Sequence, residues 1–212
     1  ADLSSLGPVD AVVHLAGESI AGGRWSAERK AAIRTSRVSG TANLVAALGR
    51  LTRPPSVLVA ASAVGIYGDR PDERLSETAS TGIGFLADVG REWEAASAAA
   101  GAAGIRVVHA RFGIVLSPDG GALAQMLPPF RLGVGGRLGS GRQWMSWVAL
   151  DDAIGALHHA IFTDSMSGPV NVTAPAPVSN AQFSGILARV LGRPAIVPVP
   201  AAALPLAFGG LA

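Results

Sequence analysis

At 212 residues with 49% hydrophobic content and a mean hydropathy of +0.39, the chain is long enough to bury one sizeable core, which excludes disorder and predicts one domain or at most two. The formal charge is only +2, and 16 of the 17 basic residues are arginine, so the sequence pI near 9.9 reflects arginine usage and does not mark a nucleic-acid-binding surface. Cysteine is absent, which excludes disulfides, iron–sulfur clusters and thiolate zinc sites and fits a cytoplasmic protein.

The opening Ala1-Asp2-Leu3-Ser4 has no basic stretch leading into an apolar one, so no signal peptide is expected. Val9 to Ala16 is a short apolar run ending at Gly17 and predicts a strand buried on both faces. Ser26 can cap a helix reaching about Leu48, with Glu28 in its first turn. Ser56 to Ala61 predicts a second buried strand. A loop with Gly65, Gly68, Pro71 and Gly82 follows, then a helix from about Phe85 to Ala103. Ile105 to Ala110 predicts a third strand. Ala122 to Leu132 reads as a short helix interrupted by Pro128-Pro129, and residues 133–141 as a Gly-rich loop. A strand over Trp144 to Val148, a helix from Asp151-Asp152 to about Phe162, a strand at Val170-Asn171-Val172, a helix from Ser179 to Leu191 and a last strand at Ile196-Val197 complete the series.

Strand and helix alternate throughout, the signature of βαβ units and an α/β fold with a mostly parallel, doubly wound, Rossmann-like sheet. Aromatic residues are 5% of the chain, so Ala, Val, Leu and Gly must fill the interior as thin layers of helix on sheet. Residues 1–119 are expected to form a Rossmann-like core. Residues 120–212, with shorter elements and more Pro and Gly, are expected to mix an extension of that core with a smaller, C-terminal substrate-binding lobe. The longest apolar stretches, around 56–67 and 195–212, are too short or too rich in Pro and Gly to span a bilayer, so no membrane partner is expected.

Several blocks then occur in order: His14-Leu15-Ala16-Gly17, the helix segment Arg37-Val38-Ser39-Gly40-Thr41-Ala42-Asn43-Leu44, and Ser62-Ala63-Val64-Gly65-Ile66-Tyr67-Gly68. Together they resemble the extended short-chain dehydrogenase/reductases, in the sugar-nucleotide epimerase and dehydratase branch. Gly17-Glu18-Ser19-Ile20, Arg24-Trp25, Ser36-Arg37, Gly120-Gly121-Ala122-Leu123, Gly139 to Trp144, Ser146-Trp147 and Asn171 to Pro175 resemble the hallmarks of an atypical, epimerase-like subfamily labelled nucleoside-diphosphate-sugar epimerase. The resemblance covers nearly the whole chain. It implies NAD(P) as cofactor, a nucleotide or nucleotide-sugar as small-molecule partner, no nucleic acid, and it admits a homodimer.

Two departures from the family qualify it. The family opens with a strand, a Gly-rich turn and a helix whose N-terminus receives the dinucleotide pyrophosphate. This sequence starts at what corresponds to the family's fourth strand, and Gly133 to Gly139 follows no convincing strand, so an N-terminally truncated fold is expected. Residues 201–212 likewise read as an unfinished apolar end. The second departure is arithmetic. Family members use Tyr and Lys four residues apart on a helix to remove a hydroxyl proton as hydride leaves. Here the one tyrosine is Tyr67 and the one lysine is Lys30, so these 212 residues hold no such pair. The resemblance sets Leu86 and Gly90 in the dyad positions, Glu94 one turn further on, Arg37 in place of the usual Asn, and Ser62 in place of the family's upstream Ser.

Candidate sites follow, each beside its plainer alternative. Ser62 and Tyr67 lie where a central strand ends, the place where open α/β sheets bind ligands, and are the candidates for catalysis; the alternative is a strand-end turn whose polar groups satisfy backbone. His14, Leu15, Ala16, Gly17, Arg37 and Ser62 are the candidates for cofactor contact. For His14 a satisfied core histidine is the plainer reading. Lys30, Arg34, Arg37 and Thr41 share one helix face, and only Arg37 is expected to meet a phosphate. Arg131, Arg137 and Arg142 flank the Gly-rich loop. Arg137, Arg142 and Trp144 are the candidates for substrate contact, through bidentate phosphate grip and base stacking, against a solvated lid and, for Trp144 and Trp147, lobe core. Glu18, Asp69 and Glu77 sit near strand ends, and nothing in the sequence selects one as a substitute base. His158-His159 lack a third ligand at metal spacing, so no metal is expected. The expected function is that of an NAD(P)-dependent epimerase- or dehydratase-like protein acting on a nucleotide-sugar or related hydroxylated metabolite without the usual dyad. The alternative is a non-catalytic nucleotide-binding or regulatory protein on the same scaffold.

Overall fold

The computed structural model describes residues 7–20, 25–70, 72–195 and 197–200. Arg24, Pro71, Ile196, the opening tetrapeptide and the apolar end at 201–212 lie outside them. The elements are β1 (Ala11–His14), α1 (Ala27–Leu48), β2 (Val57–Ala63), α2 (Phe85–Ala98), β3 (Arg106–Phe112), β4 (Ile114–Leu116), α3 (Gly121–Arg131), β5 (Trp144–Met145), β6 (Trp147–Ala149), α4 (Leu150–Phe162), β7 (Gly168–Val172), β8 (Val178–Ser179) and α5 (Asn180–Leu191). Two 3₁₀ turns, Val64–Tyr67 and Ala99–Ala103, follow β2 and α2.

Two compact units result, and their segments interleave along the chain. The first takes the described residues of Ala1–Glu18, Ala31–Phe112 and Asp151–Val172; the second takes those of Ser19–Lys30, Gly113–Leu150 and Thr173–Ala212. The sequence changes unit at Phe112/Gly113 rather than at 119/120, and α4 with β7 returns to the first unit.

In the first unit β1, β2, β3 and β7 form one parallel sheet in that order. The two central strands, β2 and β3, are largely buried and rich in Val and Ala, as two-sided coverage by helices demands. Leu48, Leu58, Ala60, Ala100 and Ile105 form a core cluster against which Val12, Leu44, Val45 and Val107 pack. On the other face, Val59, Val108 and Ala110 look toward Ala156, Leu157 and Ala160 of α4. Arg106 at the start of β3 fastens α4: its guanidinium donates to the carbonyls of Ala160, Ile161 and Met166 at 2.7–2.9 Å, satisfying acceptors that a helix end leaves without partners.

α2 packs closely on the 3₁₀ turn after β2. A Cβ on Gly90 would stand 3.1 Å from Ile66, and Gly65 lies beside Leu86. The loop returning to α2 passes just as near, since a Cβ on Gly82 would fall 2.2 Å from the Tyr67 carbonyl oxygen. Only glycine fits there.

The second unit is built from shorter pieces. β4 pairs in parallel with β6, and β5 pairs antiparallel with β8. α5 opens with a capping box in which the Ser179 hydroxyl accepts from the Gln182 amide and the Gln182 side chain accepts from the Ser179 amide. Two local expectations are corrected here, and one strand had no expectation. The single strand expected over 144–148 divides at Ser146. The interruption expected at Pro128-Pro129 does not occur: α3 carries both prolines in its last turn and ends at Arg131, with their carbonyls accepting from Leu132 and Val134. β4 lies hidden behind Gly113, whose missing Cβ allows backbone to approach the Ser146 carbonyl.

Candidate functional site

In a parallel sheet, strand register puts alternate residues of neighbouring strands in rows on one face. Ser62 of β2, Arg111 of β3 and Asn171 of β7 are consecutive partners in one row near the C-terminal ends of the strands. The preceding row on that face holds His14, Ala60 and His109. Polar side chains therefore interrupt an apolar sheet face at its carboxyl edge.

They are joined into one network, all of it inside the first unit. Arg111, only 5% exposed, grips the Glu94 carboxylate of α2 with two bonds of 2.8 Å. The Ser62 hydroxyl donates to the same carboxylate at 2.7 Å. Arg111 also donates to the Tyr67 hydroxyl at 2.8 Å, and that hydroxyl donates onward to the Asn171 side-chain oxygen at 2.7 Å. Asn171 continues into the loop before α2: its side-chain amide donates to the Leu75 carbonyl, and its backbone N–H donates to the Glu77 carboxylate at 2.8 Å. Burial pushes the Glu94 carboxyl up, but the hydrogen bonds from Arg111 and Ser62 outweigh it and hold the group below its ordinary value. Arg111 is held firmly protonated, chiefly by its bond to Glu94. His109, 3.9 Å from Glu94, is pushed down by burial, against the pull of Glu94, with Arg111 adding to the depression.

A second group gathers behind β1. His14 Nε2 lies 2.8 Å from the Thr41 hydroxyl of α1, and Trp93 of α2 donates its indole N–H to the same oxygen at 3.0 Å. Burial keeps His14 neutral by lowering its pKa. The Thr41 oxygen thus accepts from Trp93 while pairing with His14 Nε2, so one hydroxyl ties β1, α1 and α2 together. Leu15, Ala16 and Gly17 continue from the strand tip in the open, Leu15 being 55% exposed. Arg37 reaches this loop from α1, donating to the Glu18 carbonyl at 2.9 Å while its guanidinium lies 5.1 Å from the Trp93 ring. Ser36 accepts from the Glu18 amide. A Cβ on Gly17 would meet the Arg37 guanidinium at 3.2 Å, so glycine is what lets backbone and guanidinium share this space. Partial burial lowers the Arg37 pKa, countered by Glu18.

The remaining candidates belong to the second unit. Arg137 donates to the Ser140 carbonyl at 3.2 Å and lines a cavity of about 320 Å³ with Ala181, Ser184 and Pro198. Arg142 is exposed, and Trp144 is 51% exposed, so the core reading of Trp144 does not hold. Trp147 is half-buried and donates its indole N–H to the Ala176 carbonyl. Among the described residues no group of His, Cys, Asp and Glu is arranged to hold a metal, and no helix is long and apolar enough to cross a membrane.

Leu86 and Gly90 both face the 3₁₀ turn, where Gly90 is buried without room for a side chain. The residues that sequence reasoning missed are Arg111, Asn171, Thr41 and Trp93 as network members. One signal was available: His109-Ala110-Arg111 continues a buried strand with an arginine, a residue type that enters cores only when paired.

Compared with known proteins, the profile of the NAD dependent epimerase/dehydratase family matches residues 2–172. An epimerase family protein of Mycobacterium bovis is 47% identical over 211 residues, covering all of this chain and 69% of that protein. One from Bacillus subtilis is 40% identical over 95% of this chain and 66% of that protein. Among solved structures, human epimerase family protein SDR39U1 with NADPH superposes with a TM-score of 0.93 at 34% identity, over 98% of this chain and 72% of that one. A nucleoside-diphosphate sugar epimerase from Corynebacterium glutamicum gives 0.73 at 42% identity, over 93% of this chain and 42% of that one.

Proposed function

This chain belongs to the NAD-dependent epimerase/dehydratase family, and from that premise we propose that the tip of β1 and the end of β2 carry part of an NAD(P) site and that the protein acts on a nucleotide-sugar or related hydroxylated metabolite. The observation that carries the reading is the open His14-Leu15-Ala16-Gly17 tip with the Arg37 guanidinium beneath Gly17, at the carboxyl edge of a parallel sheet. That edge is where open α/β sheets bind ligands, and Gly17 leaves its backbone exposed there beside the Arg37 guanidinium. The human relative solved with NADPH supports the choice of cofactor.

In this reading backbone of Leu15, Ala16 and Gly17 lies along the cofactor, Arg37 faces its negative charge, and His14, held by Thr41, stands at the base of the tip. NAD(P), when bound, supplies hydride exchange. Ser62 meets the ligand, while Tyr67, whose proton is already donated to Asn171, ties the strand ends together. Arg137, Arg142 and Trp144 take the diphosphate and base of the substrate, supported by the exposure of Arg142 and Trp144 and by the cavity beside Arg137.

One observation favours the second reading, a ligand-binding protein without turnover: Ser62 and Tyr67 have their protons committed to Glu94 and Asn171, and the Glu94 carboxylate is taken up by Ser62 and Arg111. Fluorescence titration with NADPH, on the full chain and on Arg37→Ala and Ser62→Ala, tests the binding claim. Affinity that falls in Arg37→Ala supports it, and no binding by the parent chain refutes it. Turnover of a nucleotide-sugar panel separates the two readings, since tight NADPH binding without turnover selects the second.

A further inference from the structure

We propose that Glu94 fixes the polarity of Ser62, turning it into a hydrogen-bond acceptor that selects ligands presenting a hydroxyl over analogues that cannot donate. The proposal deepens the reading in which Ser62 meets the ligand and rests on it.

A serine hydroxyl has one proton and two lone pairs, so it ordinarily adapts to donors and acceptors alike. Ser62 is denied that freedom. Its proton lies on the Glu94 carboxylate at 2.7 Å, and an ionised carboxylate can only accept. Glu94 is in turn held by the two Arg111 bonds, with a side chain only 13% exposed, so it neither swings away nor takes up water in place of the serine. The paired arginine also keeps the carboxyl ionised, so no proton returns from Glu94 to Ser62. What remains for a ligand is oxygen lone pairs, made more basic by the charge-assisted bond behind them.

The consequence is directional. A ligand hydroxyl or amide N–H is welcomed at Ser62. A carbonyl oxygen or a fluorine meets lone pairs with no proton between, in a place where Ser62 is 3% exposed and water has little room to mediate. Only a terminal donor, and not the bulk of a ligand, reaches an oxygen so enclosed. Glu94 is a positioning residue here: it acts through Ser62.

Two measurements on the full chain test this. The first needs no ligand. Carbon NMR of glutamate labelled at Cδ follows the Glu94 titration in wild type, Ser62→Ala and Ser62→Thr. The expected result is a Glu94 pKa that moves up in Ser62→Ala and returns in Ser62→Thr; a titration indifferent to Ser62→Ala overturns the proposal. The second uses UDP-glucose and its 2-, 3-, 4- and 6-deoxyfluoro derivatives as probes, because fluorine keeps the shape of a hydroxyl and loses its proton. Wild type is expected to bind one fluoro derivative about tenfold more weakly than UDP-glucose, as the loss of one charge-assisted bond implies. That contrast is expected to vanish in Ser62→Ala, persist in Ser62→Thr, and shrink to within about threefold in Glu94→Gln, where a neutral amide replaces the charge. Equal binding of all derivatives by wild type, or a contrast that survives in Ser62→Ala, overturns the proposal. If UDP-glucose itself does not bind, the nucleotide-sugar reading falls, and the carboxyl titration alone then decides the polarity of Ser62.

Discussion

Replacing Arg111 with methionine keeps the length and apolar stem of the side chain and removes its charge and donors. Four hydrogen bonds go with them: three connect Arg111 to Glu94 and Tyr67 through its Nε and both terminal nitrogens, and one reaches the Glu77 carbonyl, while the Ser62–Glu94 bond loses the anchor of its acceptor. Glu94 is left as a largely buried carboxylate without its counter-charge. Breaking such a pair by removing one partner costs about 3–5 kcal/mol at neutral pH. The sign of the pH dependence follows from the carboxyl. In wild type the folded-state pKa of Glu94 lies below its unfolded value, so the group contributes stability above the unfolded value and loses it as pH falls through the folded one. In Arg111→Met the arginine's hydrogen bonds and charge are gone, and burial, opposed only by the Ser62 bond and His109, raises that pKa, so acid relieves the variant by neutralising the stranded charge. Urea unfolding followed by tryptophan fluorescence at pH 7 and pH 5 is therefore expected to show a large loss at pH 7 and a smaller difference between the two proteins at pH 5. A loss below about 1 kcal/mol at pH 7, the level of a surface pair, would refute the network as a buried, charge-paired unit. So would a difference that widens in acid.

Installing a lysine in the dyad position, Gly90→Lys, forces a Cβ against Ile66 at 3.1 Å and is expected to destabilise by about 1–3 kcal/mol, read as a lower thermal midpoint. Tyr67→Phe leaves the Asn171 side-chain oxygen and one Arg111 donor without the partner that joined them and is expected to cost about 1–3 kcal/mol in urea unfolding. His14 and His109 are both expected to titrate below the ordinary histidine value of 6.5 in ring NMR. A histidine depressed in the fold stabilises it above the unfolded value and withdraws that stability as pH falls toward the folded one, so both rings add to acid sensitivity below about pH 6.5.

The sheet was legible because its signal is redundant. Val57 to Ala61 is apolar at every position and Val107 to Ala110 at all but His109, while Ser26 marks the start of α1 and the loop glycines end before Phe85 opens α2. What escaped has local causes. β4 and β8 are two or three residues long and carry no period of their own. The division at Ser146 depends on two different partner strands, which no local pattern reports. The network was half visible. Ser62 and Tyr67 could be placed at a strand end, but their partners come from α2, β3 and β7, 32 to 104 residues away in sequence. Glu94 entered only by family resemblance. Arg111 lay one residue beyond the expected strand, although an arginine following His109-Ala110 is the kind of buried charge that demands a partner. Trp144 reads as core because a large aromatic residue is usually buried, whereas β5 is only two residues long and leaves it exposed.

The central claim is that the open β1 tip and the end of β2 form a cofactor-facing edge. It is tested most directly by titrating the ¹⁵N-labelled full chain with NADPH and following backbone amide shifts. The account predicts the largest changes at Leu15–Glu18 and at Ala63–Gly65, with both groups reduced in Arg37→Ala. Binding that leaves both segments unmoved, with its shifts confined elsewhere, would contradict it.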